Sequence, residues 1–352
     1  MKFGFGSTQE KNGIPHIDRV TPAAALPGGE ITIYGDSFVS RRGTRPVVRF
    51  GETDAALALA SNSRLIARVP ENVSAQTVQV SNAQNQSAPH PVALAYQIAD
   101  NLHPVANPAV DAQGNIYVTF SGPRGQRVPV SLYKIGSNYA VKPFVTSLVN
   151  PTGLAIGPGG DLFVSCRHDG TIHRVSPNGQ TEEWIEGMGI ATGVAFDRVG
   201  NLFVGDRSGT IFKISPSREI FVFATLEPSV AAYHLAFHPS GELYVTGPTT
   251  SSYDRVYRIN QGGEVHVFYR GLGRPQGLAF DADTNLYIAA SLAGRRGVVR
   301  ITPQGHAEHV LSGSSLVGLA LLPNGRAILA ANSALFALDW NVRGLPLMNC
   351  GN

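Results

Sequence analysis

Residues 192–206 read TGVAFDRVGNLFVGD. An apolar run, a turn rich in Asp, Gly and Asn, and a second apolar run make a strand, a tight turn and a strand. The stretch recurs as NPAVDAQGNIYVTF from Asn107, TGLAIGPGGDLFVSC from Thr152, HLAFHPSGELYVTG from His234, QGLAFDADTNLYIAA from Gln276 and VGLALLPNGRAILAA from Val317. The turn position is held in order by Gly114, Gly160, Gly200, Gly241, Thr284 and Gly325, with steps of 46, 40, 41, 43 and 41 residues. A fixed period of about 40–50 residues with four short strands per repeat is the mark of a β-propeller. One such repeat cannot bury both of its faces, and packing neighbours around an axis solves that. The pattern predicts six blades over residues 107–340.

Within a repeat, GVAF lines the axis and NLFVGD follows it. A third strand such as Thr210–Ser215 and an outer strand such as Glu219–Ala224 show period-2 alternation, as half-exposed strands do. The last repeat has SALFALDW but only NVRGLPLMN where its outer strand belongs. Either Val342–Met348 or a segment near residues 93–103 closes the ring.

Residues 14–98 follow another rule: short strands with turn signals every 8–12 residues, which fits a small antiparallel sandwich. Its pieces are Pro15-x-Ile17-x-x-Val20-x-Pro22, Gly28-Gly29 before ITIYG, then VRFG, then the segment Ser63–Pro70. In that order they resemble an IPT/TIG domain, an immunoglobulin-like module; the resemblance implies a spacer, a dimerisation surface or a carbohydrate-adjacent module, and no catalytic residues. The expected organisation is a flexible leader over 1–13, the sandwich over 14–98 and a six-bladed propeller over 99–352, all-β throughout. The join at 99–106 is short, which predicts a fairly fixed relation between the domains.

Composition narrows the function classes. The apolar fraction of 43% supports a sizeable core, and Gly 39 and Pro 23 suit many short strands joined by tight turns. The formal charge is only +3 and the basic residues are scattered, which argues against a nucleic-acid partner. No apolar run approaches the ~18 residues of a membrane span. The first residues lack the apolar centre of a signal peptide, so the protein is cytoplasmic as written or exported with its signal removed. Two cysteines, Cys166 and Cys350, make no disulfide framework; Cys166 ends an inner strand and reads as a buried thiol. The expected partner is a small molecule or a protein.

In such a ring, the residues that begin the inner strands and the loops joining second to third strands gather at one mouth of the channel. The strand starts are Asn107, Thr152, Thr192, His234, Gln276 and Val317. The loops supply Arg167, His168, Asp169, Asp206, Arg207, Tyr253, Arg295, Arg296 and Asn332. A ring of polar groups around one axis suits a small ligand, and equally is what any propeller presents to water. Counted back from the turn, Asn107 and His234 stand where the other repeats have Gly153, Gly193, Gly277 and Gly318. His234 is the candidate catalytic base, or a soft-metal ligand with His103 and His168; Tyr233 adds an aromatic wall, and His238 belongs to the opposite end. Arg167, Arg207, Arg295 and Arg296 could clamp an anion, or pair with Asp169, Asp206 or Asp254.

The repeated G-[LV]-A-[FIV]-x-x-x-G-[ND]-[LI]-[FY]-[VI] stretch resembles the NHL-repeat and gluconolactonase/regucalcin-like propellers. That resemblance implies a divalent cation at the mouth, held by Glu, Asn and Asp. Here Ala106-Asn107-Pro108 replaces the Glu-Gly-Pro opening, and Tyr233-His234 and Gln276-Gly277 stand at the later positions. No strand start is a carboxylate, and Asp206 with His234 would be the weak remainder of a Ca or Zn site. Two functions follow: a binding or scaffold protein, or a lactonase- or lyase-type enzyme on the same fold.

Overall fold

The computed structural model describes residues 13–40, 44–73, 75–83 and 85–347, and no helix occurs among them. The leader expected over 1–13 lies outside them except for Gly13, and so do Met348 and Cys350. The chain divides into two compact bodies between Leu94 and Ala95.

The N-terminal body is a pair of four-stranded sheets. One orders His16–Thr21, Glu30–Asp36, Arg64–Arg68 and Ala56–Ala60; the other orders Thr53–Asp54, Val47–Phe50, Thr77–Ser81 and His90–Pro91. Alternation builds the core. Ile31 and Ile33, Leu65 and Ala67, Val48 and Phe50, Val78 and Val80 all turn inward and share one apolar cluster.

The C-terminal body repeats one antiparallel meander. Repeat three pairs Ala191–Phe196, Leu202–Asp206, Thr210–Ile214 and Ile220–Thr225 in sequence order. The inner strands of the others are Ala109–Val110, Pro151–Ile156, His234–Phe237, Leu278–Phe280 and Leu316–Leu321, each touching the next in turn. The turn after the inner strand is closed by an Asp–Asn pair in three repeats. Asn115 donates its side-chain amide to Asp111 over 2.8 Å, Asn201 to Asp197 over 2.6 Å and Asn285 to Asp281 over 2.8 Å. The turn carboxylates are therefore architectural.

Neighbouring repeats interlock through aromatic rings. The second-strand rings Phe163, Phe203 and Tyr244 meet Phe196, Phe237 and Phe280 of the following repeat edge to face, at 4.9, 5.0 and 5.0 Å. They also meet Trp184, Phe223 and Phe268 on their own outer strands. Each such pair contributes about 0.5–1.5 kcal/mol beyond area burial. At the axis the backbones approach too closely for a side chain. A Cβ on Gly153 would lie 2.2 Å from the Thr192 carbonyl oxygen, and one on Gly193 would lie 2.4 Å from that of Tyr233. That is why glycine holds this position in four repeats.

The last repeat is completed from the N-terminal side. Tyr96–Ala99 pairs antiparallel with Leu335–Asp339. These residues, expected at the end of the sandwich, thus belong to the C-terminal body. Of the two closing segments open from the sequence, Val342–Met348 forms no outer strand among its described residues, 342–347; it makes an isolated bridge from Gly344 to Asp281. Asn107 bonds across the same seam: its Nδ2 donates to the Leu278 carbonyl at 2.8 Å and its Oδ1 accepts from the Leu319 amide at 3.0 Å. A side chain of repeat one thus ties together the fifth and sixth repeats, beside the backbone bond from the Gly277 amide to the Val317 carbonyl at 3.1 Å.

Candidate functional site

Each inner strand begins at one end of the repeats and runs to the tight turn at the other. The loops between second and third strands share the first end: the Arg167 amide donates to the Asn150 carbonyl, and the Arg207 amide to that of Ile190, just ahead of their inner strands. The two ends are called here the loop end and the turn end.

Most strand-start residues at the loop end are buried structure. Thr152 and Thr192 are each 1% exposed. The Thr152 hydroxyl donates to the Asn150 carbonyl; that of Thr192 donates to Gly205 at 2.7 Å and accepts from the Tyr233 amide at 3.1 Å. Asn107 is committed to the seam described above. Tyr233 does not wall a mouth. It is buried between the third and fourth repeats, where Cβ atoms on Gly205 and Gly247 would strike it, and its hydroxyl donates to the Glu227 carbonyl. His234 is 3% exposed, and burial alone pushes its pKa down to about 4, so the ring is neutral near pH 7. Gln276 stays half-buried, its carbonyl accepting from the Thr246 hydroxyl at 2.5 Å.

The loop aspartates are saturated by their own turns. Asp206 is 6% exposed. Its Oδ1 accepts from the amides of Ile190 at 2.8 Å and Ser208 at 3.3 Å, and its Oδ2 takes the Ser208 hydroxyl. Asp169 takes the amide and hydroxyl of Thr171, and Asp254 those of Thr249. The expected pairing of loop arginines with these aspartates therefore does not form. Cys166 is buried, and burial pushes its thiol up to about 12, which leaves it inert.

The imidazoles do not gather. His103 is exposed and bonded to the Ser121 carbonyl, and His168 is exposed beside Gly125. Among the described residues no three His, Cys, Asp or Glu side chains are grouped to hold a metal ion. A hard cation needs several oxygen ligands, so Asp206 and His234 do not make a calcium site, and His234 lacks the partners of a zinc site.

What the loop end does bring together is arginine. Arg167 and Arg207 hold equivalent positions in repeats two and three. Arg124 joins them from the long loop of repeat one, and the field of Arg207 and Arg124 adds to burial in lowering the Arg167 pKa. That loop is pinned from below. Asn150 is fully buried; its amide donates to the Gly122 and Pro123 carbonyls at 2.8 and 2.9 Å, and its oxygen accepts from the Gly125 amide at 2.6 Å. Sequence reasoning missed Arg124 and Asn150. The available signal was the first repeat step, 46 residues against 40–43, which reports the extra length of this loop. Arg295, Arg296, Tyr253 and Asn332 are exposed.

The turn end differs. A cavity of about 630 Å³ opens between repeats three and four, lined by Phe196, Phe203, Phe237, His238, Lys213 and Leu345, among others. The segment carrying Leu345 also touches other repeats here. The Ala282 amide donates to the Arg343 carbonyl at 2.7 Å and the Gly344 amide to that of Leu322 at 2.9 Å, while Leu347 packs against the apolar cluster that contains Ile135 and Ile328. His238 lies on this side, as expected, opposite to His234 along one strand.

Residues 15–96 match the IPT/TIG domain family, so the N-terminal body is an IPT/TIG domain. No curated protein matches the chain. Among solved structures, one named as a candidate gluconolactonase is 22% identical with a TM-score of 0.59, over 72% of this chain and 94% of its own. A gluconolactonase from Xanthomonas campestris is 16% identical with a TM-score of 0.56, over 72% and 90%. An auxiliary nutrient binding protein from Bacteroides thetaiotaomicron is 12% identical with a TM-score of 0.56, over 93% and 98%, a match that takes in both bodies. At these identities the likeness is one of fold. The described residues are all-β: an IPT/TIG sandwich and a propeller whose fold is like that of these solved structures.

Proposed function

We propose that this chain is a binding protein that recognises a small ligand at the loop end of a closed, six-bladed ring of NHL type. The six meanders, the succession of inner strands and the pairing of Tyr96–Ala99 with Leu335–Asp339 support the blade count. One observation carries the binding reading: the six axial positions are Asn107, Gly153, Gly193, His234, Gly277 and Gly318, with no carboxylate among them. The loop carboxylate Asp206 spends both oxygens on Ile190 and Ser208. A lactonase of this fold needs a cation or a general base at that place, and His234, pushed down to about 4, is a weak base at pH 7. The surfaces left for a ligand are Arg167, Arg207 and Gln276, with Thr152, Thr192, Asn107, Asp206 and His234 as their scaffold.

The likeness to a nutrient-binding protein along nearly the whole chain favours the same reading. The likeness to gluconolactonases favours the alternative, lactone hydrolysis or a lyase reaction assisted by a divalent cation. Purified chain, with and without added Ca or Zn, is incubated with gluconolactone and ring opening is followed by NMR. The expected outcome is the uncatalysed rate in every case, together with saturable binding of a small ligand in a thermal-shift screen. Metal-dependent turnover abolished in His234→Ala would establish the enzyme instead.

A further inference from the structure

We propose that Arg124, Arg167 and Arg207 form a cradle for an oxyanion, the carboxylate or phosphate group of a small ligand carrying at least two negative charges. The proposal rests on the loop-end reading above and specifies its ligand chemistry. Three adjacent repeats each supply one guanidinium: Arg124 from the pinned loop, Arg167 and Arg207 from the residue following the second strand.

Among the described residues none of the three has a carboxylate partner, a state they share with other arginines of this body such as Arg198 and Arg274; what sets them apart is that three adjacent repeats bring them to one end. Arg174, Arg218, Arg255, Arg300 and Arg326 each pair with a carboxylate, Asp161, Glu182, Glu227, Glu308 and Asp339 respectively. Among the described residues, no carboxylate lies within ion-pair distance of Arg124, Arg167 or Arg207. Asp169 and Asp206, the two acids next to them in sequence, are tied to their own turns.

Arg167 is the most exacting of the three. Its Nη2 donates to the Gly122 carbonyl at 3.3 Å, while its Nε is buried with no acceptor in the protein. A half-buried guanidinium with like charges on either side and an unmet donor is an uncompensated cost of folding. Arg258 and Arg300 also carry an unmet Nε, but each has a carboxylate on its guanidinium, which Arg167 lacks; an anion would supply that missing charge, and a planar guanidinium fork matches carboxylate and phosphate geometry. Arg207 is held in place from behind: its Nη2 donates to the Val230 carbonyl at 3.0 Å and its Nε to Ser229 at 3.4 Å. The buried Asn150 fixes the loop that carries Arg124. Arg167 and Arg207 are pre-set by these bonds, so they lose little freedom on binding.

The test is calorimetric titration of the full chain with inorganic phosphate and, separately, citrate, at constant ionic strength, with glucose as the neutral probe. Wild-type protein should bind at least one anion saturably, and which one tells phosphate from carboxylate chemistry. Arg124→Gln and Arg207→Gln should each weaken that binding about tenfold, the loss of roughly one charge-assisted contact. Arg198→Gln, at the turn end, should leave it unchanged. Arg124 is exposed, so its variant keeps the test valid if Arg207→Gln misfolds. Absence of saturable anion binding in the wild type, or equal weakening by Arg198→Gln, would overturn the cradle. A chain that binds glucose at the loop end but neither anion refutes the cradle alone; one that binds no small ligand refutes the broader reading as well.

Discussion

His234 shows how a single residue changes meaning once its depth is known. In the sequence it stands at a mouth, where water could replace it. In the structure it is 3% exposed and neutral, its pKa about 4. The sign of the resulting pH effect is fixed. The unfolded chain takes up a proton near pH 6.5 and the folded one does not, so this part of the stability is complete above 6.5 and is lost as pH falls towards 4. Denaturant midpoints at pH 7 and pH 5 should show a loss of about 2 kcal/mol for the wild type from this group. His234→Asn, which installs the residue found at the same place in repeat one, should remove that component. An unchanged difference between the two pH values would show that the imidazole titrates freely when folded. The strand start was legible from the seven-residue spacing back from the turn. Its burial was not, because burial depends on the next repeat, and no local pattern reports that neighbour.

At the scale of the element, the hairpin turn is where sequence and structure agree most closely. Five of the six turns place glycine at positive φ: Gly114 at 79°, Gly160 at 81°, Gly200 at 88°, Gly241 at 89° and Gly325 at 85°. The fifth repeat puts Thr284 there at 65°, a β-branched residue in the left-handed region. Thr284→Gly should therefore stabilise the protein by about 1 kcal/mol, strain relieved less the entropy glycine adds to the unfolded chain. Thermal melts of the two proteins check this, and a lower melting temperature for the glycine variant would show that the threonine side chain holds the turn. Strands and turns were legible because period 2 and turn chemistry are local. The loop of repeat one was not, since its shape comes from Asn150, a residue outside the repeated stretch whose side chain supplies three hydrogen bonds to Gly122, Pro123 and Gly125.

For the whole molecule, the two bodies differ in what they need in order to fold. The sandwich has its own alternating core, from Ile17 to Leu94, and residues 1–94 should give a cooperatively melting domain by themselves. The C-terminal body should not survive loss of its last repeat. Residues 95–315 would leave Tyr96–Ala99 without its partner strand and the seam of Asn107 without Leu319, exposing strand edges. A soluble, monomeric fragment 95–315 with a sharp melt would show that closure contributes little. The fold class was readable from the period alone. The identity of the closing strand was not, because two segments had the right character and only long-range pairing chooses between them.

That closing pair also sets a timetable. Tyr96 is among the first residues of its body to leave the ribosome, and its partner Ala337 is among the last. Until the sixth repeat is made, the nascent body carries two open sheet edges and cannot reach its final state, however well the early meanders form. Non-local pairings of this kind are the slow part of folding. Synthesis and folding of this body are thus coupled in one direction: the sandwich is free to fold as it emerges, while the body behind it waits for the strand Leu335–Asp339.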